Sequence, residues 1–310
     1  MKDKAKAMVM ASFVADSLAL GVHWVYNTQV IDRKFGRVEH LEKPLGIAYH
    51  GTKDAGDFTH YGDQTVVLLE SVADGSGFEL SRFSQKWRSF FEGYTGYFDN
   101  ATKETLENFA AGRGPESSGS GSTDLAGASR IAPIVYMYRE DRETMIAASR
   151  AQTAMSHKNP RVVESAEFFA RVLWHVLRGS APSAAMEQVC GEELKEETIG
   201  EWVGAGIKST DVDTRSAIAD FGQPCEIEMA FPSTVHLIAK YENDLKTSLV
   251  ENVMAGGDSA SRGMLAGMVL GAHLGYGAIP ETWLRELNKA GRITELLDVI
   301  DNDINFKNFV

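Results

Sequence analysis

Apolar and small residues recur along this chain at helical rather than strand spacing. Met8, Ser12, Ala15, Ala19 and Val22 fall on one small-residue face of a first helix, and Thr65, Leu69 and Val72 repeat the spacing after "YGDQ". The clearest amphipathic face follows Asn159-Pro160, a helix-start signal, with Val162, Ala166, Phe169, Leu173 and Val176. Another helix is expected to begin after Pro232, "STVHLIAKY", with "DLKTSLVENVM" behind it. From Ser259 to His273 the chain is apolar almost all round, the mark of a buried central helix. Alternating patterns are scarce and no repeat is visible. The fold class is all-α.

Residues 111–127, "AGRGPESSGSGSTDLAG", interrupt the helical pattern. Such a stretch reads either as a linker between two domains or as a long functional loop within one. Composition is similar on both sides, which favours a single domain over 1–310. Backbone N–H groups of such a loop could then cradle a phosphate.

With 310 residues, 44% of them hydrophobic and 24% charged, the chain has the make-up of a globular protein. Its net charge of -12, without a Lys/Arg run, disfavours a nucleic-acid partner. The two cysteines, Cys190 and Cys225, show no C-x-x-C spacing, which argues against a zinc knuckle and suits a reducing compartment. Asp16 interrupts the apolar N-terminal stretch, and the longest apolar run, near 263–275, is shorter than the roughly 20 residues of a membrane span. A cytoplasmic, soluble protein with no membrane partner is the expectation.

Asp63 in "HYGDQT" and Asp258 in "GGDSAS" each stand just before a buried helix. Each could be a helix cap or a ligand to a hard cation, and the spacing alone decides neither. An imidazole titrates near neutrality, so His23 and His60 suit acid–base work or metal ligation. His157 precedes the Pro160 helix. Nothing basic flanks Cys225, so an inert thiol is the simpler reading. Trp24 and Tyr26 suit either base stacking or core packing.

Five blocks in order, "ADSLALGVH" (15–23), "GDQT" (62–65), "GSGSTDLAGASRIAP" (119–133), "SH" (156–157) and "GGDSAS" (256–261), resemble the ADP-ribosylglycohydrolases. That resemblance implies an all-α, orthogonal helix bundle and a small nucleotide or ADP-ribosylated substrate. It also implies Mg²⁺ held by carboxylates between helices. Gln64 and Ala260 stand where the family has acids, and His23 where it has Glu. The resemblance therefore leaves room for at most one Mg²⁺, on Asp63, Asp258 and Ser261. Gly119–Ser122 would bind phosphate, His157 would contact ADP-ribose, and His23 or His60, with Asp63, would supply the catalytic groups. "HW", "GDQ" and "FGQPCEIEMAFPSTVHLI" look like the branch that holds the J1-crystallins and selenoprotein J. This makes an inactive, crystallin-like binding or structural role the rival reading, and redox chemistry at Cys225 a third.

Overall fold

Small residues set the centre of the fold. Gly263, Gly267 and Gly271, four apart on the helix Ser259–Leu274, face Ala15, Ala11 and Ala7 of the helix Lys2–Leu20. A Cβ on Gly267 would stand 2.6 Å from the Ala11 carbonyl oxygen, and one on Gly271 would stand 2.7 Å from that of Ala7. The two backbones therefore lie against each other, and every residue from Ser259 to Ala272 is buried. Pro160–Leu177, Ile227–Lys240 and Leu245–Met254 pack around the pair. His60–Asp74 lies against Leu80–Glu92 on one side and Ala290–Lys307 on the other.

This computed structural model describes residues 1–45, 49–75, 77–194 and 196–307, with the side chains of 305–307 excepted. Among the described residues there is no β-strand. The all-α expectation holds. Three isolated bridges, Val25 with Gly257, Ser120 with His157 and Asp124 with Glu226, tie loops together at one end of the bundle.

Helix starts follow short polar side chains. Asn159 accepts from the Arg161 N–H, Asp258 from that of Ser261, and Thr59, not Asp63, caps its helix by accepting from Tyr61. One expected start is corrected: the helix thought to begin after Pro232 runs from Ile227 to Lys240 with the proline inside it. The Ile227 N–H donates to the Thr123 carbonyl, and Ile227, Ala230 and Phe231 are buried. That packing outweighs the one backbone hydrogen bond a proline removes.

The Gly/Ser segment lies against the helices. The Ser118 hydroxyl donates to Met155 O at 2.9 Å and the Ser120 N–H to Ser156 O at 3.0 Å, while Lys158 N–H donates to Ser120 O at 2.9 Å. No described helix is long and apolar enough to cross a membrane.

Candidate active site

The double glycine is what brings Asp258 into position. Gly256 and Gly257 have φ of +71° and +69°, a region L side chains rarely adopt. A Cβ would stand 2.5 Å from Val25 O at the first and 2.4 Å from Gln223 O at the second. Trp24 N–H donates to Gly257 O, Gly257 N–H to Val25 O and Asp258 N–H to Gln223 O, at 2.9, 3.0 and 2.9 Å. The buried Arg262 guanidinium then joins Gly256 O, Gln223 O and the Asn252 side chain. Asp258 is a true cap, since its Oδ1 accepts from the Ser261 N–H at 3.2 Å and hydroxyl at 3.0 Å. Its Oδ2 faces the other way, 3.1 Å from the Tyr61 hydroxyl.

The same hydroxyl lies 3.2 Å from Oδ2 of Asp124. Asp124 and Cys225 face each other because Leu125 N–H donates to Cys225 O and Ile227 N–H to Thr123 O. Ligand atoms of Asp124, Cys225 and Asp258 all lie within 4.8 Å of one another. Burial, then the Asp258 and Asp99 carboxylates, push Asp124 well above the usual carboxylate range. Burial, then the Asp124, Asp258 and Glu226 carboxylates, push the Cys225 thiol up too, so it stands protonated. Redox chemistry needs a thiolate there, and the surroundings oppose one.

Three imidazoles gather beside this cluster. His23 is buried, its ring 5.4 Å from His50 and 6.4 Å from His60, and burial holds its pKa well below the usual value. Burial likewise lowers His50 to about 2. Neither ring nitrogen of His23 has a hydrogen-bond partner, and Nδ1 lies 3.9 Å from Asp258 Oδ1. His60 is fixed differently, its Nε2 3.2 Å from Asp99. Burial would raise Asp99, yet the hydrogen bond from His60 brings it below the normal range. Trp24, at a strained φ of 61°, covers the imidazoles together with Tyr49 and Tyr97. A cleft of about 250 Å³ opens beside them, lined by Trp24, Tyr97, Asp99, Ser122, Asp124 and Cys225 among others. Tyr26, half exposed, is outside that lining.

Asp63, expected as a ligand with Asp258, has other partners. Lys53 and the Tyr94 hydroxyl donate to its Oδ2, and the Lys289 ammonium lies 3.7 Å from Oδ1. Successive helical residues turn by about 100°, so position 63 points roughly opposite position 61. Tyr61 faces Asp258, and Asp63 therefore turns away from it. Gln64 is buried and committed as well, its Oε1 accepting from Trp87 at 2.8 Å and Arg130 at 2.5 Å. The amides of the 119–122 loop are largely engaged: Ser120 N–H on Ser156 O, Ser122 N–H on the Ser120 hydroxyl, and Gly121 N–H on the Glu104 carboxylate at 3.3 Å. Gly119 packs too closely for a Cβ, 2.1 Å from Ala154 O. His157 is buried with Nδ1 2.9 Å from the Ser156 hydroxyl, and burial lowers it to about 3.

The Mg²⁺ that the sequence resemblance implies meets a poor donor set. Hard Mg²⁺ takes oxygen ligands in near-octahedral geometry, whereas the convergent group among the described residues contains two carboxylates and a sulfur. Ser261, expected as a ligand, has its hydroxyl hydrogen on Asp258.

Residues 1–307 match the ADP-ribosylglycohydrolase family as a whole, and the chain belongs to that family. Among its relatives are crystallins J1A and J1B of Tripedalia cystophora, 25% and 24% identical over 95% of this chain and 95% of theirs. The fold is similar to a solved ADP-ribosylglycohydrolase-related protein complex, with a TM-score of 0.72, 21% identity and coverage of 96% of this chain and 97% of that one.

Sequence reasoning found Asp258, His23 and His60 but missed Tyr61, Asp124, His50 and the facing position of Cys225. Asp124 had a signal, since it stands within the Gly/Ser segment. The other three carry none, because loop bridges and helix facing place them.

Proposed function

We propose that the chain, working as one domain over 1–310, hydrolyses a glycosidic bond to ADP-ribose or a related nucleotide sugar. The acid pair Asp124–Asp258 does the chemistry. The observation that carries this is the Tyr61 hydroxyl lying 3.2 and 3.1 Å from both Oδ2 atoms. A phenol has one proton to donate. Both contacts are satisfied when one carboxyl is ionised and the other is protonated and donates back to the phenol oxygen. Two carboxyls that share one proton are an acid and a base side by side.

In the reaction Asp124, at the cleft, gives its proton to the leaving atom as the anomeric C–X bond breaks. Water adds to the anomeric carbon and loses a proton to Asp258. Tyr61 then passes that proton back from Asp258 to Asp124, and the pair is restored. His23 walls the pair off from solvent, and His60 anchors the wall through Asp99. A 250 Å³ cleft is below the range for a whole drug-sized ligand and suits the sugar alone. The diphosphate would run outward along Gly119–Ser122, where Gly121 N–H already holds the anionic oxygen of Glu104, with His157 behind the loop.

Release of ADP-ribose from ADP-ribosyl-arginine and ADP-ribosyl-serine, measured in chelator, tests this. The wild-type chain is expected to turn over slowly without a divalent ion, and Asp124→Asn or Asp258→Asn to lose about a hundredfold or more. Absence of turnover in the wild type would favour a second reading, a binding or structural homologue. The ammonium groups of Lys53 and Lys289 on Asp63 support that rival, because they neutralise a carboxylate otherwise free to bind a cation.

A further inference from the structure

The Asp124–Cys225–Asp258 cluster has one neighbour that the acid pair does not explain. His23 is fully buried in its side chain, both its ring nitrogens lack partners, and Nδ1 stands 3.9 Å from Asp258 Oδ1. A buried polar atom without a partner costs about 1–3 kcal/mol, so the fold holds this imidazole ready for something. Oxygen and sulfur donors of Asp124, Cys225 and Asp258 thus converge, and the His23 imidazole stands beside them against Asp258. Asp124 and Cys225 also line the cleft, which gives access from solvent.

We propose that Asp124, Cys225, Asp258 and His23 bind one borderline divalent ion of the Zn²⁺ class, and that the ion replaces the proton shared by the acid pair. One imidazole, one thiolate and two carboxylates make a four-coordinate set that such an ion accepts and Mg²⁺ does not. Bond lengths of about 2.0–2.3 Å put tetrahedral donors roughly 3.3–3.8 Å apart. The Asp124, Cys225 and Asp258 donors, within 4.8 Å of one another, and His23, 3.9 Å from Asp258, close on the ion by side-chain torsion. Binding releases two protons to solvent, one from the Cys225 thiol and one from the carboxyl pair. The ion and the acid pair exclude each other, so it inhibits hydrolysis; that half rests on the proposed function, while the binding half does not.

Co²⁺ titration of the full chain, followed in the near ultraviolet, tests the binding half. One equivalent is expected to raise a thiolate-to-cobalt charge-transfer band, displaced by Zn²⁺ and not by excess Mg²⁺. Cys225→Ser should abolish the band, Cys190→Ser should keep it, and His23→Ala should weaken affinity about tenfold. Cobalt binding without a sulfur band, displacement by Mg²⁺, or no binding overturns the site. The wild-type and Cys190→Ser spectra decide sulfur ligation even if Cys225→Ser does not fold. Added Zn²⁺ should stop any turnover seen in chelator, and turnover that persists with the ion bound overturns the inhibitory half. A chain that binds cobalt as described but hydrolyses nothing removes the acid-pair reading and the inhibitory half, and leaves the site standing.

Discussion

Gly257 shows how much one residue decides here. Its φ of +69° and the carbonyl 2.4 Å from a Cβ leave no room for another side chain. Gly257→Ala is expected to lose about 2 kcal/mol or more in urea unfolding, from backbone strain and the clash with Gln223. Since Asp258 follows directly, the near-ultraviolet signature of its neighbours Trp24 and Tyr61 should change with it. A variant as stable as the wild type would mean that the loop relaxes and the glycine pair is dispensable. The same scale explains what the sequence disclosed. Asp258 was legible as a cap because the reason for it is local, the free N–H groups of a helix start. Tyr61 was not, because its hydroxyl matters only through a carboxylate 197 positions away.

At the scale of the helix, the same substitution should have opposite signs in two places. Gly267→Ala puts a methyl 2.6 Å from the Ala11 carbonyl oxygen in the buried helix pair, and overpacking of that kind costs about 1–3 kcal/mol. Gly204→Ala, within the helix Glu197–Lys208, meets nothing within 4 Å and should gain about 0.5–1 kcal/mol from helix propensity. Thermal or urea unfolding of the two variants checks the pair of signs; equal effects would deny the close contact of the two helices. The small-residue face of the first helix and the apolar run from 259 were both visible in the pattern. Their pairing was not, for two helices with matching faces do not say in sequence which partner each has. Pro232 is the counter-example, a local breaker overruled by packing.

Across the whole molecule, Asp16 couples the first helix to the second motif block. Thr59 donates to it twice, at 2.8 Å from the backbone and 2.5 Å from the hydroxyl, and Gly62 is bare because a Cβ would stand 2.3 Å from Asp16 Oδ2. Burial raises Asp16 to about 7 against those hydrogen bonds. The folded chain therefore keeps a proton that the unfolded chain releases near pH 4. The stability this contributes is full below about pH 4 and is lost as pH rises through about 7. Measured against Asp16→Asn, whose amide can pair with the Thr59 hydroxyl, wild-type stability should fall by roughly 1.4 kcal/mol per pH unit within that window. Parallel pH curves for the two proteins would show that Asp16 is ionised in the fold.

Local pattern was enough for most of the helices, the small-residue faces, the ordered blocks that mark the family and the glycines before Asp258. Each of these follows from residues a few positions apart, where backbone geometry and periodicity act directly. Which carboxylates meet was settled by packing between distant elements. Position 61 faces inward and position 63 turns to Lys53, so Asp258 found Tyr61 and Asp124 instead of Asp63. Cys225 met Asp124 because two loops exchange backbone hydrogen bonds, an interaction open to any residue type. Contacts made by main-chain atoms leave no trace in side-chain pattern, and for that reason the centre of the site was the least legible part of this chain.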